Sequence, residues 1–170
     1  GDSLLYYEMD KSTLEEGLKG LDSRVDTILT NCNANAYVGF LTGRSGYRYK
    51  VSETYKANRK HRPKPIIFYA LREYLKQRYS FKEFDGLEAD DLVAYYGVNN
   101  EGLKTVICSP DKDVLYQCIG IHFNYQKVEF VTTSETDAEK FLWKQVLMGD
   151  STDNIQGIPG VGIKTAENWL

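Results

Sequence analysis

The sequence predicts an α/β fold in which a mostly parallel central sheet is flanked by helices. Segments with apolar residues at helical spacing alternate with short β-branched runs, of which KTVIC at 104–108 is the clearest. Clusters of acidic residues follow or adjoin several of these predicted strands. Ligands collect at the carboxyl ends of strands in such sheets, so these acids are expected to meet at one edge.

The first half of the chain alternates two long helices with short strands. Ser12-Thr13-Leu14-Glu15 predicts a capping box, which opens a helix that ends at 31–33. A buried strand is expected at 36–41, and a loop or partly helical excursion at 43–65. The second helix is predicted at 65–78, with Ile66, Tyr69, Tyr74 and Leu75 facing inward. A short strand at 80–84 and a helix at 87–96 follow.

The second half continues this alternation. After the strand at 104–108, the pattern predicts a helix at 112–117 and two strands at 121–125 and 127–132, paired through a tight turn. Helices are expected at 134–148 and from 163 to 170. The 170 residues are enough for one domain and the start of a second.

Composition limits the class of protein. The three cysteines are an odd number without CxxC spacing, which favours a reduced, cytoplasmic protein over a disulfide framework. No apolar run approaches the roughly 20 residues of a membrane span, so no membrane partner is expected.

The net charge of −3 conceals a segregation of charge. Between 44 and 82 the chain carries 12 Lys and Arg against 2 acids, whereas 83–120 carries 8 acids against 2 lysines. A polyanion held by the basic stretch would meet metal ions in the acidic one. The alternative is that both stretches are ordinary solvated faces.

Three motifs, GLEADD, SPDKD and GDSTDN, supply seven carboxylates: Glu88, Asp90, Asp91, Asp111, Asp113, Asp150 and Asp153. Alone, each motif is compatible with a helix cap, a turn or a loop. A fold that gathers all of them needs divalent cations to offset their repulsion, and oxygen ligands favour two Mg²⁺ or Mn²⁺ ions. His61 and His122 are distant in sequence, which argues against zinc.

Two further segments suit phosphate contact. GIPGVGIKTA at 157–166 combines glycines, a predicted helix start and Lys164, without the spacing of a Walker loop. YKANRK at 55–60, with Arg48 and Arg62 nearby, mixes cations with an aromatic ring, as surfaces that grip single strands do. The alternatives are a plain turn and a solvated loop.

Together, GLEADD, SPDKD and MGDSTDNIQGIPGVGIKTA resemble the successive signatures of the 5′ nucleases, and YKANRK resembles the entry to their helical arch. These proteins include flap endonucleases, the 5′-nuclease domain of bacterial DNA polymerase I and, most similar here, phage 5′–3′ exonucleases. The resemblance implies a PIN-like nuclease core at 1–148 with an arch region at about 44–78. It implies the start of a helix–hairpin–helix (H3TH) DNA-binding region at 149–170.

The resemblance also assigns roles to residues. One metal ion would be held by Glu88, Asp90, Asp91 and Asp111, and the second by Asp113, Asp150 and Asp153. Lys56 and Arg59 would act on the scissile phosphate, and K⁺ would bind at the hairpin. DNA contacts would come from Arg48, Tyr55, Lys60, Gly160, Gly162, Lys164 and Thr165.

Two departures from the family pattern affect the first metal. Gly1-Asp2-Ser3-Leu4 starts one residue late, so the strand with its catalytic Asp is expected upstream and 4–9 is expected to be helical. Leu41-Thr42-Gly43 stands where relatives often carry an Asp.

The resulting hypothesis is a monomeric, metal-dependent nuclease that cleaves DNA at 5′ ends, flaps or nicks, with an RNA primer as a further substrate. It would be located in the cytoplasm, or in the host cytoplasm if phage-encoded. The alternatives are a catalytically impaired DNA-binding fragment and a PIN-type ribonuclease, against which the hairpin argues. A purely structural role would leave the seven carboxylates unexplained.

Overall fold

The computed structural model describes residues 2–59, 63–100 and 102–170. The N-terminal half contains, in chain order, α1 (Ser3–Glu8), α2 (Leu14–Asn31), β1 (Phe40–Thr42), α3 (Arg48–Val51) and α4 (Ile66–Tyr79). The helices α1, α2 and α4 pack against one another. The helical prediction for 4–9 is thereby confirmed. Leu5, Leu21, Leu71 and Leu75 are fully buried between these helices. No helix in the described ranges is long and apolar enough to cross a membrane.

The strands are short and form separate hydrogen-bonded groups. β1 (Phe40–Thr42) pairs in parallel with β2 (Lys82–Phe84), and β3 (Val106–Cys108) pairs in parallel with β4 (Gly120–Asn124). β5 (Glu129–Thr133) then pairs antiparallel with β4, which confirms the predicted hairpin. The fold is α/β as predicted, but within the described ranges hydrogen bonding does not join these strands into one mostly parallel central sheet.

The core joins the helical layer to both strand groups. Leu41 of β1 and Phe123 of β4 are fully buried in the same apolar cluster as the leucines of α1, α2 and α4. This cluster holds β1 and β3 in place; SPDKD directly follows β3, and GLEADD follows β2, the strand that pairs with β1.

Short helices occupy the connections. α3 (Arg48–Val51) and a 3₁₀ turn (Ala57–Arg59) form the partly helical excursion predicted before α4. α5 (Ala89–Val98) contacts β1 and β3, and α6 (Lys112–Gln117) has the predicted bounds.

The C-terminal part consists of two helices joined by a tight excursion. α7 (Glu135–Met148) and α8 (Ile163–Trp169) contact each other, and between them β6 (Gly149–Asp150) pairs antiparallel with β7 (Ile155–Gln156). A Cβ built on Gly149 would lie 2.3 Å from the backbone nitrogen of Gly157, so this crossing requires glycine.

Several local predictions are wrong. The predicted capping pair of α2 was Ser12 with Glu15. The N-cap is instead Thr13, whose hydroxyl accepts from the Glu16 amide at 3.2 Å; both pairs have the same spacing in the sequence. The predicted strand at 36–41 forms only at its end, because 36–38 is exposed. On α4, Ile66 and Tyr69 are 89% and 57% exposed. The inward stripe is instead Phe68, Leu71 and Leu75.

Candidate functional site

Two of the acidic motifs begin helices. Glu88 is the N-cap of α5, and a reciprocal capping box links it to Asp91. The Thr42 hydroxyl at the end of β1 accepts from the Ala89 amide at 3.1 Å, which fixes this helix start against the strand. Asp111 is the N-cap of α6, where its carboxylate accepts from the Asp113 amide at 2.9 Å. The capping interpretation is therefore correct for these residues, and it also explains how the fold positions their carboxylates.

The charges of several other acids act on Asp90. Burial and the nearby charges of Asp111, Asp2 and Glu88 raise the pKa of Asp90 to about 6. Asp2 was not singled out by the sequence, although its carboxylate also accepts from Arg72 at 3.1 Å. A cation bound here would lower the electrostatic free energy of the ionised Asp90 carboxylate.

The acids are paired with cations of the same chain. The Arg48 guanidinium donates to both oxygens of Asp91, at 2.7 and 2.6 Å, and lowers the pKa of that carboxyl group. The Lys56 ammonium donates to both oxygens of Glu88 at 3.0 Å. Lys112 bridges Asp113 at 2.9 Å and Asp150 at 3.0 Å.

A backbone clamp brings the predicted arch onto the third acidic motif. The Lys56 amide donates to the Asp153 carbonyl at 3.0 Å. The Asn58 side chain donates to the Ser151 carbonyl at 3.1 Å, and the Asn154 side chain donates to the Thr54 carbonyl at 2.8 Å. Lys56 itself has φ +50, an unusual value for a residue with a side chain. These contacts hold the basic segment 54–58 against the acidic segment 151–154.

Tyr55 is part of this junction rather than a surface residue. Its hydroxyl lies 3.2 Å from both oxygens of Glu88 and 3.1 Å from Asp153, and only 6% of the residue is exposed. Burial, followed by the charges of these two acids, raises the pKa of Tyr55. The prediction that Tyr55 contacts DNA is therefore corrected, because its ring is not available for stacking.

In the ranges that the structure describes, no three His, Cys, Asp or Glu side chains are arranged closely enough to hold a metal ion as they stand. The donor set nevertheless fits a hard divalent ion, because it consists of carboxylate oxygens, among them that of Asp90, whose pKa is raised. The contacts also group the acids differently from the sequence: Tyr55 and Lys56 connect Asp153 with Glu88, while Lys112 connects Asp113 with Asp150. The two predicted ligand sets remain predictions.

The other predicted residues belong to the C-terminal segment or follow Asn58 in the chain. Gly160 has φ +82, whereas Gly162 has an ordinary φ of −102 and precedes α8, to which Lys164 and Thr165 belong. A strained φ is thus expected of Gly160 and not of Gly162. Arg59 ends the 3₁₀ turn, and Lys60 and His61 lie outside the described residues.

Four residues of the site were missed by the sequence reasoning: Asp2, Arg72, Lys112 and Gln145. Lys112 had a visible signal, since it stands between the two aspartates of SPDKD. Gln145 donates to Asp113 at 2.6 Å from the middle of α7, a contact that no local motif predicts.

Comparison with known proteins identifies the family of the chain. The family described as the 5′-3′ exonuclease, N-terminal resolvase-like domain matches residues 11–145. The chain belongs to this 5′–3′ exonuclease family. The match ends before the GDSTDN motif and the glycine-rich segment, so it covers two of the three acidic motifs.

Individual relatives cover similar parts of the chain. A 5′-3′ exonuclease of Buchnera aphidicola (subsp. Acyrthosiphon pisum) is 36% identical over 140 residues, which are 75% of this chain and 49% of that protein. The DNA polymerase I of Bacillus caldotenax is 31% identical over 154 residues, 78% of this chain and 17% of the polymerase. The chain thus spans about half the length of its exonuclease relative, and much less of the polymerase.

Solved structures support the fold. The phage T5 D15 protein, co-crystallised with metal ions, superposes with a TM-score of 0.74 at 21% identity, covering 99% of this chain and 71% of that one. A complex of the T5 D15 flap endonuclease with DNA and metal ions gives a TM-score of 0.75 at 21% identity, with the same coverage. At this identity the likeness establishes the fold.

Proposed function

We propose that the protein is a divalent-metal-dependent nuclease that hydrolyses DNA phosphodiester bonds at 5′ ends, flaps or nicks. The observation that carries the proposal is that the charges of Asp111, Asp2 and Glu88 raise the pKa of Asp90, an effect that a bound cation would offset. Membership of the exonuclease family supports the reaction class. The T5 complex with DNA and metal ions supports the substrate and the cofactor.

The residues that would hold the ions are the seven predicted carboxylates, with oxygen ligands that suit Mg²⁺ or Mn²⁺. Such ions activate a water molecule and stabilise the leaving oxygen of a phosphodiester. Asp90 has a raised pKa because of desolvation and the charge of Asp111, while the Glu88 and Asp150 side chains, each 14% exposed, are the more shielded from solvent. A divalent ion would take over the charge compensation that Arg48, Lys56 and Lys112 supply to the acids.

The proposed role of Lys56 is to act on the scissile phosphate. Its ammonium is held at the acids by Glu88 and by the backbone clamp to Asp153. Once a cation neutralises Glu88, the Lys56 ammonium becomes a donor for an anionic phosphate oxygen at the same place. Tyr55 would act as a positioning residue, because its hydroxyl holds Glu88 and Asp153 at the junction.

The proposal for the C-terminal segment is more limited. We propose that 149–170 begins an H3TH element and that Lys164 contacts duplex phosphates without reading bases. The exposed loop before α8 and its glycines support this proposal. K⁺ binding at the hairpin and use of an RNA primer rest on family resemblance.

Cleavage of a 5′-labelled flap duplex tests the proposal. The protein should release short 5′ products in Mg²⁺ or Mn²⁺, leave the DNA intact in EDTA, and lose activity in Asp111→Asn. Glu139→Gln changes an exposed carboxylate of α7 and serves as the matched control. Cleavage that persists in EDTA would contradict the proposal. Tight DNA binding without cleavage in either metal would instead favour the DNA-binding alternative, and cleavage of RNA alone the PIN-type ribonuclease.

A further inference from the structure

Two cysteines that are far apart in sequence meet in the fold. The sulfur atoms of Cys32 and Cys108 lie 3.6 Å apart, although 76 positions separate the residues. Cys32 is the C-cap of α2, and Cys108 is the last residue of β3. Both thiols are free and partly exposed, whereas the third cysteine, Cys118, is buried.

The local structure allows the two sulfurs to approach further. A disulfide requires an S–S distance of about 2.05 Å, so the sulfurs must close by about 1.5 Å. Cys108 is fixed by parallel pairing with Phe123 of β4. Cys32 instead stands where a helix ends, next to Asn33 at φ +46 and before the exposed segment 34–38. The required shift can therefore be made on the Cys32 side.

We propose that Cys32 and Cys108 form a redox-active dithiol that closes to an intrachain disulfide when it meets a small disulfide such as oxidised glutathione. The Cys32 thiolate attacks one sulfur of the oxidant, which breaks its S–S bond and releases one glutathione thiolate. The Cys108 thiolate then attacks the Cys32 sulfur of the mixed disulfide and releases the second glutathione. Two electrons pass from the protein to the oxidant, and the two thiol protons pass to the two released thiolates.

The surroundings set the rate of this exchange. Burial raises the pKa of the Cys32 thiol, and burial together with the neighbouring Cys32 sulfur raises the pKa of the Cys108 thiol. Since the thiolate is the attacking species, exchange should be slow at neutral pH and accelerate as the pH rises. Cys118, whose pKa is also raised by burial, has no sulfur neighbour among the described contacts and should not form a disulfide.

Closure would act on the acidic site through a short connection. Cys108 directly precedes Ser109, whose amide donates to the Phe123 carbonyl at 3.2 Å. The Ser109 hydroxyl accepts from the Asp111 amide at 3.1 Å. Even with the larger shift on the Cys32 side, the crosslink pulls on Cys108 and so on this turn; oxidation should therefore weaken Mn²⁺ binding by roughly tenfold, as disturbance of outer-shell contacts does. This consequence, unlike the disulfide itself, rests on the proposed function.

The experiment treats the reduced protein with oxidised glutathione at pH 7 and pH 9 and follows intact mass and peptide maps. The expected product has lost two hydrogen atoms, contains a Cys32–Cys108 peptide, forms faster at pH 9 and melts at a higher temperature, because the crosslink constrains the unfolded chain. Cys118→Ser should react like the wild type, and Cys32→Ser should form no crosslink. If Cys32→Ser folds poorly, Cys32→Ala replaces it.

Unreacted thiols at pH 9, a persistent glutathione adduct or a crosslink that involves Cys118 would each overturn the proposal. A Mn²⁺ titration of the reduced and oxidised forms then tests the consequence. Equal Mn²⁺ affinity in both forms would remove the regulatory role. If the reduced protein binds no Mn²⁺ but the disulfide forms, the proposed metal-dependent function fails and the dithiol stands.

Discussion

Replacing Arg48 with methionine should have opposite effects on the stability of the protein and on its affinity for metal. Arg48 makes two charge-assisted hydrogen bonds to Asp91, at 2.7 and 2.6 Å, and lies 3.6 Å from Glu88. Arg48→Met keeps most of the apolar stem and removes the charge, which leaves these two carboxylates without their counter-ion.

The magnitude follows from the partial burial of this pair. The side chains of Arg48 and Asp91 are 30% and 27% exposed, so the pair is intermediate between a surface and a buried ion pair. Breaking a surface pair costs under about 1 kcal/mol, and breaking a buried pair costs about 3–5 kcal/mol. We therefore expect a loss of about 1–3 kcal/mol in the free energy of unfolding without metal. For a domain of this size, that corresponds to a fall of roughly 2–12 °C in Tm.

Metal binding should respond in the other direction. In Arg48→Met a divalent ion no longer has to displace the guanidinium from the carboxylates. If that displacement costs about 1 kcal/mol in the wild type, its loss corresponds to roughly fivefold tighter Mn²⁺ binding. Since an ion that binds only the folded state stabilises it, the rise in Tm at millimolar Mn²⁺ should be larger in Arg48→Met than in the wild type.

Scanning calorimetry in EDTA and in a Mn²⁺ series measures both effects. Lys104→Met is the matched control, because it removes one charge from an exposed side chain before β3, at the end opposite the acids. If Arg48→Met has the same Tm as the wild type in EDTA, Arg48 does not stabilise the apo protein. If Mn²⁺ raises its Tm no more than that of the wild type, Arg48 does not compete with the metal.

Three other changes test separate features. His122 is fully buried, and burial lowers its pKa below 6.5, so the folded state binds fewer protons than the unfolded state. The contribution of neutral His122 to stability is therefore present above about pH 6.5 and lost as the pH falls. In urea unfolding, His122→Gln should lose less stability than the wild type between pH 7 and pH 5, and an equal loss would contradict the assignment. Lys56→Ala should lower single-turnover cleavage by orders of magnitude and change the Kd for DNA far less, whereas equal losses would mean a simple electrostatic contact. Lys164→Ala should reduce the salt slope of duplex binding by about one. Gly162→Ala, whose Cβ meets nothing within 4 Å, should fold normally yet weaken duplex binding. Fluorescence anisotropy across a salt series measures both, and an unchanged slope for Lys164→Ala would remove this predicted hairpin from the binding surface.

Local patterns predicted most of the elements. The apolar spacing of 14–31 and the β-branched runs around 106 and 121 depend on short-range preferences, and the structure places helices and strands there. For the inward face of α4 the prediction was right for Leu75 and wrong for Ile66 and Tyr69, which are exposed; Ile66 lies in the first turn of the helix. The separation of the strands into groups was also not predictable, because strand pairing is a property of the whole fold.

For the site, the sequence identified the acids but not their partners. The motif spacing placed Glu88 and Asp111 at helix starts. The pairing of Arg48 with Asp91 joins residues 43 positions apart, and the burial of Tyr55 against Asp153 joins residues 98 apart. These contacts arise from the packing of the segment 48–58 against α5 and against the 151–154 segment, which no local pattern encodes.

Mn²⁺ binding by the wild type and by Asp90→Asn tests the central claim most directly. Asn is nearly isosteric with Asp, so the substitution removes one charge from the acidic cluster with little change of shape. Electron paramagnetic resonance counts free Mn²⁺ in a titration, and Glu139→Gln controls for the loss of an exposed carboxylate. The account predicts saturable binding by the wild type and the control, and a loss of roughly tenfold or more in affinity for Asp90→Asn. Equal binding by all three proteins, or no binding by the wild type, would contradict it.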